Sequence, residues 1–145
     1  MASIFTKLKF QENFHADYDE HTGISTVTFH NKYGKFVGTA RLNPEDEGSG
    51  FKGCHIAESR ANIQYYKTAI RYQKERIKML NSVLKNFGFH SRLAGMLENE
   101  LNNLELINKA LRAEEKYLAT YIAGLDKSRD FRELMLAQFA VGKND

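Results

Sequence analysis

The sequence predicts an α+β fold, with an N-terminal antiparallel β-meander followed by a long antiparallel helical hairpin and a short C-terminal helix. Apolar and polar residues alternate along much of the first 42 residues, which is typical of half-buried strands. Beyond residue 53, apolar residues recur at every seventh position, which is typical of paired helices. The 145 residues fit one domain, in which residues 1–53 form the meander and its loop and residues 54–145 form the helical part.

The meander is predicted from two clear strands and a weaker third one. Val27 and Phe29 alternate with threonines, and the same alternation recurs over residues 36–42. The segment between them ends in Gly34, which can adopt a positive φ, so these two strands should form a hairpin. Residues 10–18 supply a plausible third strand. So small a sheet needs a packing partner to be stable.

A loop is predicted over residues 43–53. It contains Pro44, which is the only proline, then an acidic triplet and three glycines. The triplet lacks the spacing of an EF-hand, so we interpret it as a solvated loop and predict no metal site.

Two long helices are predicted from two ladders of apolar residues. The first helix should run from about Cys54 to Phe87, with Gly88 ending it. The second should run from about Ser91 to Gly124, and a third, shorter helix should start near Asp126. The ladders are Ile56, Ile63, Ile70, Ile77 and Leu84 in the first helix, and Leu97, Leu104, Leu111, Leu118 and Leu125 in the second.

The predicted hairpin is longer than the domain that should cover it. Each helix would span about 45–50 Å at 1.5 Å per residue. A compact domain of this size is only about 30 Å across. A second copy of the chain could bury the part of the hairpin that extends beyond the domain, so the sequence predicts a homo-oligomer.

Composition and charge narrow the class of protein. The formal net charge is +3, and apolar residues make up 42% of the chain. No apolar run approaches the length of a membrane span, and the N-terminus lacks the apolar core of a signal peptide, so we expect an intracellular protein. A single cysteine, Cys54, cannot form an internal disulfide.

The sequence gives little support for catalysis. The five histidines are scattered, and neither a zinc-protease motif nor a nucleophile elbow is present. Cys54 and His55 are adjacent, but neighbours on a helix point about 100° apart and cannot act as a thiolate pair. We therefore expect a binding protein without a catalytic residue or a cofactor.

Binding chemistry is concentrated in the first helix. Residues 54–88 carry seven lysines and arginines, three tyrosines and only two acids, a mixture that suits a nucleotide-like ligand. The alternative is a solvated basic face that pairs with glutamates of the second helix. Arg60 lies beside the apolar seam, and Arg129 and Arg132 lie three apart, so that they could hold one anion.

Several segments resemble one family, the type-one Thoeris anti-defence proteins of phages. They are the opening Ser-Ile-Phe-Thr, the hairpin, the Asn-Pro-Glu-Asp-Glu loop and, above all, residues 53–67, Gly-Cys-His-Ile-Ala-Glu-Ser-Arg-Ala-Asn-Ile-Gln-Tyr-Tyr-Lys. The resemblance covers residues 1 to about 90 well and the rest more loosely. It implies an N-terminal sheet with C-terminal helices, assembled as dimers that can associate into a hexamer.

The resemblance also implies a function. Members of this family bind cyclic ADP-ribose isomers made by TIR-domain defence proteins and hold them uncleaved in pockets between subunits. Some members also hold cyclic oligonucleotides. The implied location is the cytoplasm of the infected bacterial host.

The ligand-binding residues are likewise implied by the resemblance. The arginine of the Arg-Ala-Asn-Ile segment is Arg60. The adenine-stacking phenylalanine and its amide partner fall at Phe89 and Asn99, and the C-terminal arginines at Arg129 and Arg132. Phe87 is the alternative to Phe89, and Asn102 or Asn103 is the alternative to Asn99.

Three function classes follow from these expectations. The first is the signal sponge that the resemblance implies. The second is a structural or adaptor coiled coil that binds a protein partner. The third, a nucleic-acid binder, is disfavoured because the basic excess is small.

Overall fold

The computed structural model describes the backbone of residues 12–139 and the side chains of residues 14–125, and it confirms the predicted α+β class. Three strands precede two long helices. The elements are β1 (Glu12–Asp19), β2 (Ile24–Asn31), β3 (Gly34–Arg41), α1 (Ser49–Phe87) and α2 (Ser91–Phe139).

The three strands form an antiparallel sheet in the order β1-β2-β3. Val27 pairs with Gly38 and Phe29 with Phe36, while Asn31 pairs with Gly34 across a two-residue turn. Gly34 has a φ of 126°, a conformation that side-chain-bearing residues rarely adopt. The predicted hairpin and its glycine are therefore confirmed.

The N-terminal half of α1 covers one face of the sheet. Val27 and Phe29 are fully buried against α1, together with Phe36 and Ala40 of β3. The approach is closest at Gly38, where a Cβ atom would lie 1.8 Å from the carbonyl oxygen of Ala57. The alternation seen in the sequence is thus the alternation between the helix-facing and outer faces of the sheet.

Helix α1 starts at Ser49, five residues before the predicted start. The glycines at positions 50 and 53 were interpreted as loop residues, but they lie inside the helix, where their lack of a side chain permits close contact with the sheet. A Cβ on Gly50 would lie 2.9 Å from the ring of Tyr18, and one on Gly53 would lie 2.3 Å from the hydroxyl of Ser25. Tyr18 and Ser49 also share a hydrogen bond of 2.6 Å.

Gly88 ends α1 with a φ of 82°, as predicted, and α2 begins three residues later. The predicted break between Gly124 and Asp126 is wrong, since α2 continues without interruption to Phe139. A glycine inside a helix costs only about 1 kcal/mol. Gly124 is absent from the positive-φ glycines of the described chain, so nothing in its backbone conformation ends the helix.

The two apolar ladders are covered to different extents. Ile56 and Ile70 of α1 are buried, whereas all five leucines of the α2 ladder are only half-buried. Within residues 91–125, Glu114 is the one buried residue. The α2 ladder is therefore less buried than the middle of α1, and the predicted homo-oligomer stays a prediction.

Candidate functional site

The candidate ligand site is a pocket of about 580 Å³ between the β2–β3 turn, α1 and α2. A volume of this size is typical of small-molecule sites. The turn contributes two lining residues, α1 contributes three and α2 contributes four. The lining residues are Lys32, Tyr33, Tyr72, Gln73, Arg76, Glu100, Asn103, Leu106 and Ile107.

Aromatic rings form the turn side of the pocket. Tyr33 lies edge-on to Tyr72 with the ring centroids 5.4 Å apart, and Tyr33 also contacts Tyr65 at 5.8 Å. The ammonium of Lys32 lies 5.0 Å from the centroid of the Tyr33 ring. Tyr72 is about half-exposed, so part of its ring is free to stack on a flat ligand.

A polar group of three residues connects α1 with α2 in the pocket. Gln73 is buried, and its amide donates to the side-chain carboxylate of Glu100 and, at 3.3 Å, to its backbone carbonyl. Arg76 forms an ion pair of 3.3 Å with the same carboxylate. Glu100 thereby positions the guanidinium of Arg76, which keeps half of its side chain exposed and can donate to another anion.

This arrangement suits a ligand with both a planar ring and a phosphate. Arg76 and Lys32 supply cations, Tyr33 and Tyr72 supply ring faces, and Asn103 supplies an amide. The lining also includes the carboxylate of Glu100, which is engaged by Gln73 and Arg76, and the apolar side chains of Leu106 and Ile107.

The residues implied by the family resemblance are spread along the chain. Arg60 is exposed, and its guanidinium donates to the carbonyl of Thr39 on the edge strand β3 at 2.8 Å. Phe89 lies in the turn between the helices and is 83% exposed, while Asn99 is exposed on α2. The side chains of Arg129 and Arg132 lie outside the described residues.

Within one chain these residues do not converge. Arg60 lies about 40 Å from the end of α1 at Phe87, measured along the helix at 1.5 Å per residue. It lies about 24 Å from Arg76 by the same measure. A single site that contains both Arg60 and Phe89 thus requires a second copy of the chain.

A second polar cluster lies deeper between the helices. The carboxylate of Glu114 accepts hydrogen bonds from Ser59 at 2.7 Å and from Asn62 at 2.6 Å. Glu58 is fully buried nearby, and neither of its carboxylate oxygens has a hydrogen-bond partner among the described residues. Burial, and secondarily the charge of Glu114, raises the pKa of Glu58 to about 8.

This cluster extends to an aromatic group at the start of α1. His55 shares a short hydrogen bond with the hydroxyl of Tyr117 and packs against Tyr121, with ring centroids 4.8 Å apart. Burial lowers the pKa of His55, so its neutral form is favoured at pH 7. No group of three His, Cys, Asp or Glu side chains in the described residues could hold a metal ion.

The sequence supplied only part of this picture. Tyr72 and Arg76 belong to the predicted basic and aromatic run, and Asn103 was an alternative to Asn99. Lys32 and Tyr33 were missed because their role depends on the position of the turn over α1. Ser59 and Gln73 lie three residues after Ile56 and Ile70, next to the apolar ladder of α1. These two polar residues were the available signal for Glu114 and Glu100, because their side chains bind those carboxylates.

Comparisons of the chain with protein-family models, with curated proteins and with solved structures find no match. The resemblance to Thoeris anti-defence proteins therefore stays a prediction. A separate finding concerns membranes: no described helix has an apolar stretch long enough to cross one.

Proposed function

We propose that this protein captures a cyclic ADP-ribose isomer and holds it uncleaved, as the family resemblance implies. The observation that carries the proposal is the pocket beside the β2–β3 turn. It combines two cations, one of which is paired with the carboxylate of Glu100, with a pair of tyrosines and an amide in about 580 Å³. A cyclic ADP-ribose isomer has matching groups, namely a pyrophosphate, an adenine ring and ribose hydroxyls.

Capture rather than turnover is proposed because binding needs only the contacts that the lining supplies. Arg76 and Lys32 would bind the pyrophosphate, and Tyr72 would stack on the adenine. The proposed site of action is the cytoplasm of an infected bacterial host, where such a signal would be made.

The direct test is capture followed by release. The full-length protein is incubated with a cyclic ADP-ribose isomer, the free ligand is removed by filtration, and the retained fraction is heated. We expect the ligand to be depleted from the filtrate and recovered chemically unchanged after heating. Recovery of a hydrolysed product would show an enzyme instead, and no depletion would favour an adaptor that binds a protein partner through exposed apolar residues of α2 such as Leu101 and Leu106.

Substitution of the pocket residues should weaken capture. For Arg76→Ala we expect at least a tenfold increase in Kd, because a charge-assisted hydrogen bond contributes about 1.5–3 kcal/mol. Tyr72→Ala should have an effect of similar size through the loss of stacking. Isothermal titration calorimetry with the same isomer measures both.

Lys74→Ala is the matched control. Lys74 is an exposed cation two residues before Arg76 on the same helix, and it does not line the pocket. Its Kd should stay within about twofold of wild type. If Lys74→Ala weakened binding as much as Arg76→Ala, the interaction would depend on general charge and not on the pocket.

Arg60→Ala tests the residue that the resemblance implies. We expect a loss of capture, because the resemblance implies that Arg60 binds the ligand, and Arg60 would have to reach the pocket from a second copy since it lies about 24 Å from Arg76 within one chain. We expect no change in oligomer mass, because Arg60 is exposed and its hydrogen bond within the described structure is to a carbonyl of the edge strand. Light scattering measures the mass and calorimetry measures the capture. A change in mass alone would make Arg60 a structural residue.

A further inference from the structure

The candidate pocket contains one carboxylate as well as two cations. Its charged lining residues are Lys32, Arg76 and Glu100. A phosphate placed directly against the carboxylate would be repelled, because like charges in a partly enclosed site destabilise each other. The pocket therefore favours a ligand whose anionic group lies at the cations and whose uncharged part lies at Glu100.

Glu100 is held in one position by two side chains of α1. Its Oε2 atom accepts from the amide of Gln73, which is buried, and its Oε1 atom lies 3.3 Å from the guanidinium of Arg76. The same amide donates at 3.3 Å to the backbone carbonyl of Glu100. If the carboxylate turned away, a buried amide would lose a partner, which is costly.

The carboxylate has acceptor capacity left for a ligand. A carboxylate can accept about four hydrogen bonds, and the contacts from Gln73 and Arg76 use about half of that capacity. The Glu100 side chain is 15% exposed and lines the pocket. A ligand that fills the pocket would remove this exposure to water, so it should bring hydrogen-bond donors to the carboxylate.

Ribose hydroxyls are the donors that fit this position. Arg76 pairs with Glu100 and keeps half of its side chain exposed, so an anion bound by Arg76 lies close to Glu100. Tyr72 lies one turn before Arg76 on the same face of α1 and would stack on the base. In a nucleotide the ribose joins the phosphate to the base, so its hydroxyls lie near both contacts. Dinucleotide-binding folds likewise use a carboxylate to bind ribose hydroxyls near a bound phosphate.

We propose that Glu100 accepts hydrogen bonds from the ribose hydroxyls of the ligand and makes the pocket selective for ribonucleotides. Asn103 lies three residues further along α2 and lines the same pocket, so its amide can bind a hydroxyl as well. The inference rests on the proposed function only for the nucleotide character of the ligand. It adds the residue that recognises the sugar.

Two nucleotides that differ only in the sugar test this assignment. The full-length protein is titrated by calorimetry with adenosine monophosphate (AMP) and with dideoxy-AMP, which lacks both ribose hydroxyls. We expect wild type to bind AMP about tenfold more tightly or better, because dideoxy-AMP would leave a covered carboxylate without donors. Equal affinities would overturn the proposal, and so would a lack of binding of either nucleotide at millimolar concentration.

Glu100→Ala separates recognition of the sugar from a structural role. If Glu100 binds the hydroxyls, the variant should bind AMP and dideoxy-AMP with Kd values within about twofold of each other. It should bind dideoxy-AMP at least as tightly as wild type does, because no carboxylate then repels the phosphate or occupies Arg76. A purely structural role gives a different pattern, in which both nucleotides bind more weakly and the preference for AMP persists. That pattern would overturn the proposal.

Glu100→Gln keeps the test decisive if circular dichroism shows that the alanine variant is unfolded. Glutamine has nearly the same volume and retains one acceptor oxygen, but it lacks the charge that strengthens the hydrogen bonds. The preference for AMP should fall by about threefold or more. A folded Glu100→Gln variant with the full wild-type preference would contradict the assignment.

Glu98→Ala is the matched control. Glu98 is an exposed glutamate two residues before Glu100 on the same helix, and it does not line the pocket. The preference of this variant for AMP should stay within about twofold of wild type. If the preference were lost here too, the general negative charge of α2 would cause it, and the assignment to Glu100 would be wrong.

The amino group of adenine is the other donor that AMP offers. Purine ribonucleoside monophosphate lacks this group and should bind wild type within about threefold of AMP, because stacking on Tyr72 tolerates changes at the ring edge. A loss of affinity on removal of the amino group, without a loss on removal of the hydroxyls, would place the base edge at Glu100. The ribose assignment would then be overturned.

These titrations separate the assignment from the proposed function. If the preference for AMP depends on Glu100 but a cyclic ADP-ribose isomer is not captured, the recognition of the sugar stands and the proposed function fails. If the isomer is captured but wild type binds AMP and dideoxy-AMP equally, the proposed function stands and the role of Glu100 fails.

Discussion

Replacing Gly38 by alanine is expected to destabilise the fold by about 3 kcal/mol or more, the upper range for overpacking a core. The added Cβ would lie 1.8 Å from the carbonyl oxygen of Ala57 and 2.6 Å from the amide nitrogen of Ala61. Both atoms belong to the backbone of α1, so no side-chain rotation relieves the contact. Either the helix or β3 must move, and the buried layer between them would open. Urea denaturation followed by circular dichroism measures the loss.

Gly95→Ala is the control for this substitution. Gly95 is exposed on α2, and a Cβ there meets nothing within 4 Å. Alanine should stabilise the helix by about 0.5–1 kcal/mol, because glycine loses more backbone entropy on folding. Equal midpoints for Gly38→Ala and wild type would contradict the close approach of helix and sheet.

A second large effect is expected on raising the pH, and it arises from Glu58. The folded state holds this carboxyl protonated up to about pH 8, whereas its ordinary pKa is 4.5. The folded state therefore binds more protons than the unfolded state between these values, and the free energy of unfolding falls as the pH rises through this range. Between about pH 6.5 and pH 8.5 the loss should be about 2 kcal/mol.

The lower limit of about pH 6.5 was chosen because protonation of His55 below this value has the opposite effect on stability. Burial lowers the pKa of His55 from 6.5, so protonation of this residue destabilises the fold as the pH falls below that value. The tyrosines whose pKa is raised by burial, Tyr65, Tyr117 and Tyr121, stay neutral in both states below about pH 9. Glu58 is thus the main resolved contributor in the chosen range.

Glu58→Gln should remove most of the pH dependence, because the amide occupies the same volume without a charge. Glu115→Gln is the control, since Glu115 is exposed on α2 beside the buried Glu114. Urea midpoints at several pH values measure both variants. A wild-type midpoint that stays constant from about pH 6.5 to about pH 8.5 would show that Glu58 has a charge partner in solution.

The fold was largely predictable because its elements have strong local patterns. The alternation around Val27 and Phe29, the turn before Gly34 and the stop at Gly88 all depend on residues close in sequence. The start of α1 was misjudged because Gly50 and Gly53 fit a loop and a tightly packed helix equally well. The continuity of α2 through Gly124 was missed for a similar reason, as one glycine is a weak helix breaker.

The candidate site was less predictable because it depends on how distant segments meet. Arg76 and Glu100 are 24 positions apart, and the ion pair between them requires the exact register of the hairpin. Lys32 and Tyr33 come from a turn whose position over α1 is set by the packing of the whole sheet. Glu58 is fully buried although it lies outside the apolar ladder of α1, so the pattern of that ladder does not reveal its burial.

The polar contacts between α1 and α2 also fix the register of the two helices, and with it the distance of the Gly88 turn from the sheet. Ser59 binds Glu114, and Gln73 binds Glu100. On α1, Ser59 and Gln73 are fourteen residues apart, and on α2, Glu100 and Glu114 are also fourteen residues apart. This separation equals two full repeats of the apolar ladder. If one helix slid by a single repeat, its apolar residues would still meet apolar residues, but both carboxylates would lose their partners in an apolar interface. The two polar pairs therefore act as register marks, and they hold the turn at Gly88 at one distance from the sheet. The hairpin therefore extends a defined distance beyond the sheet, although its apolar repeats alone would allow several registers.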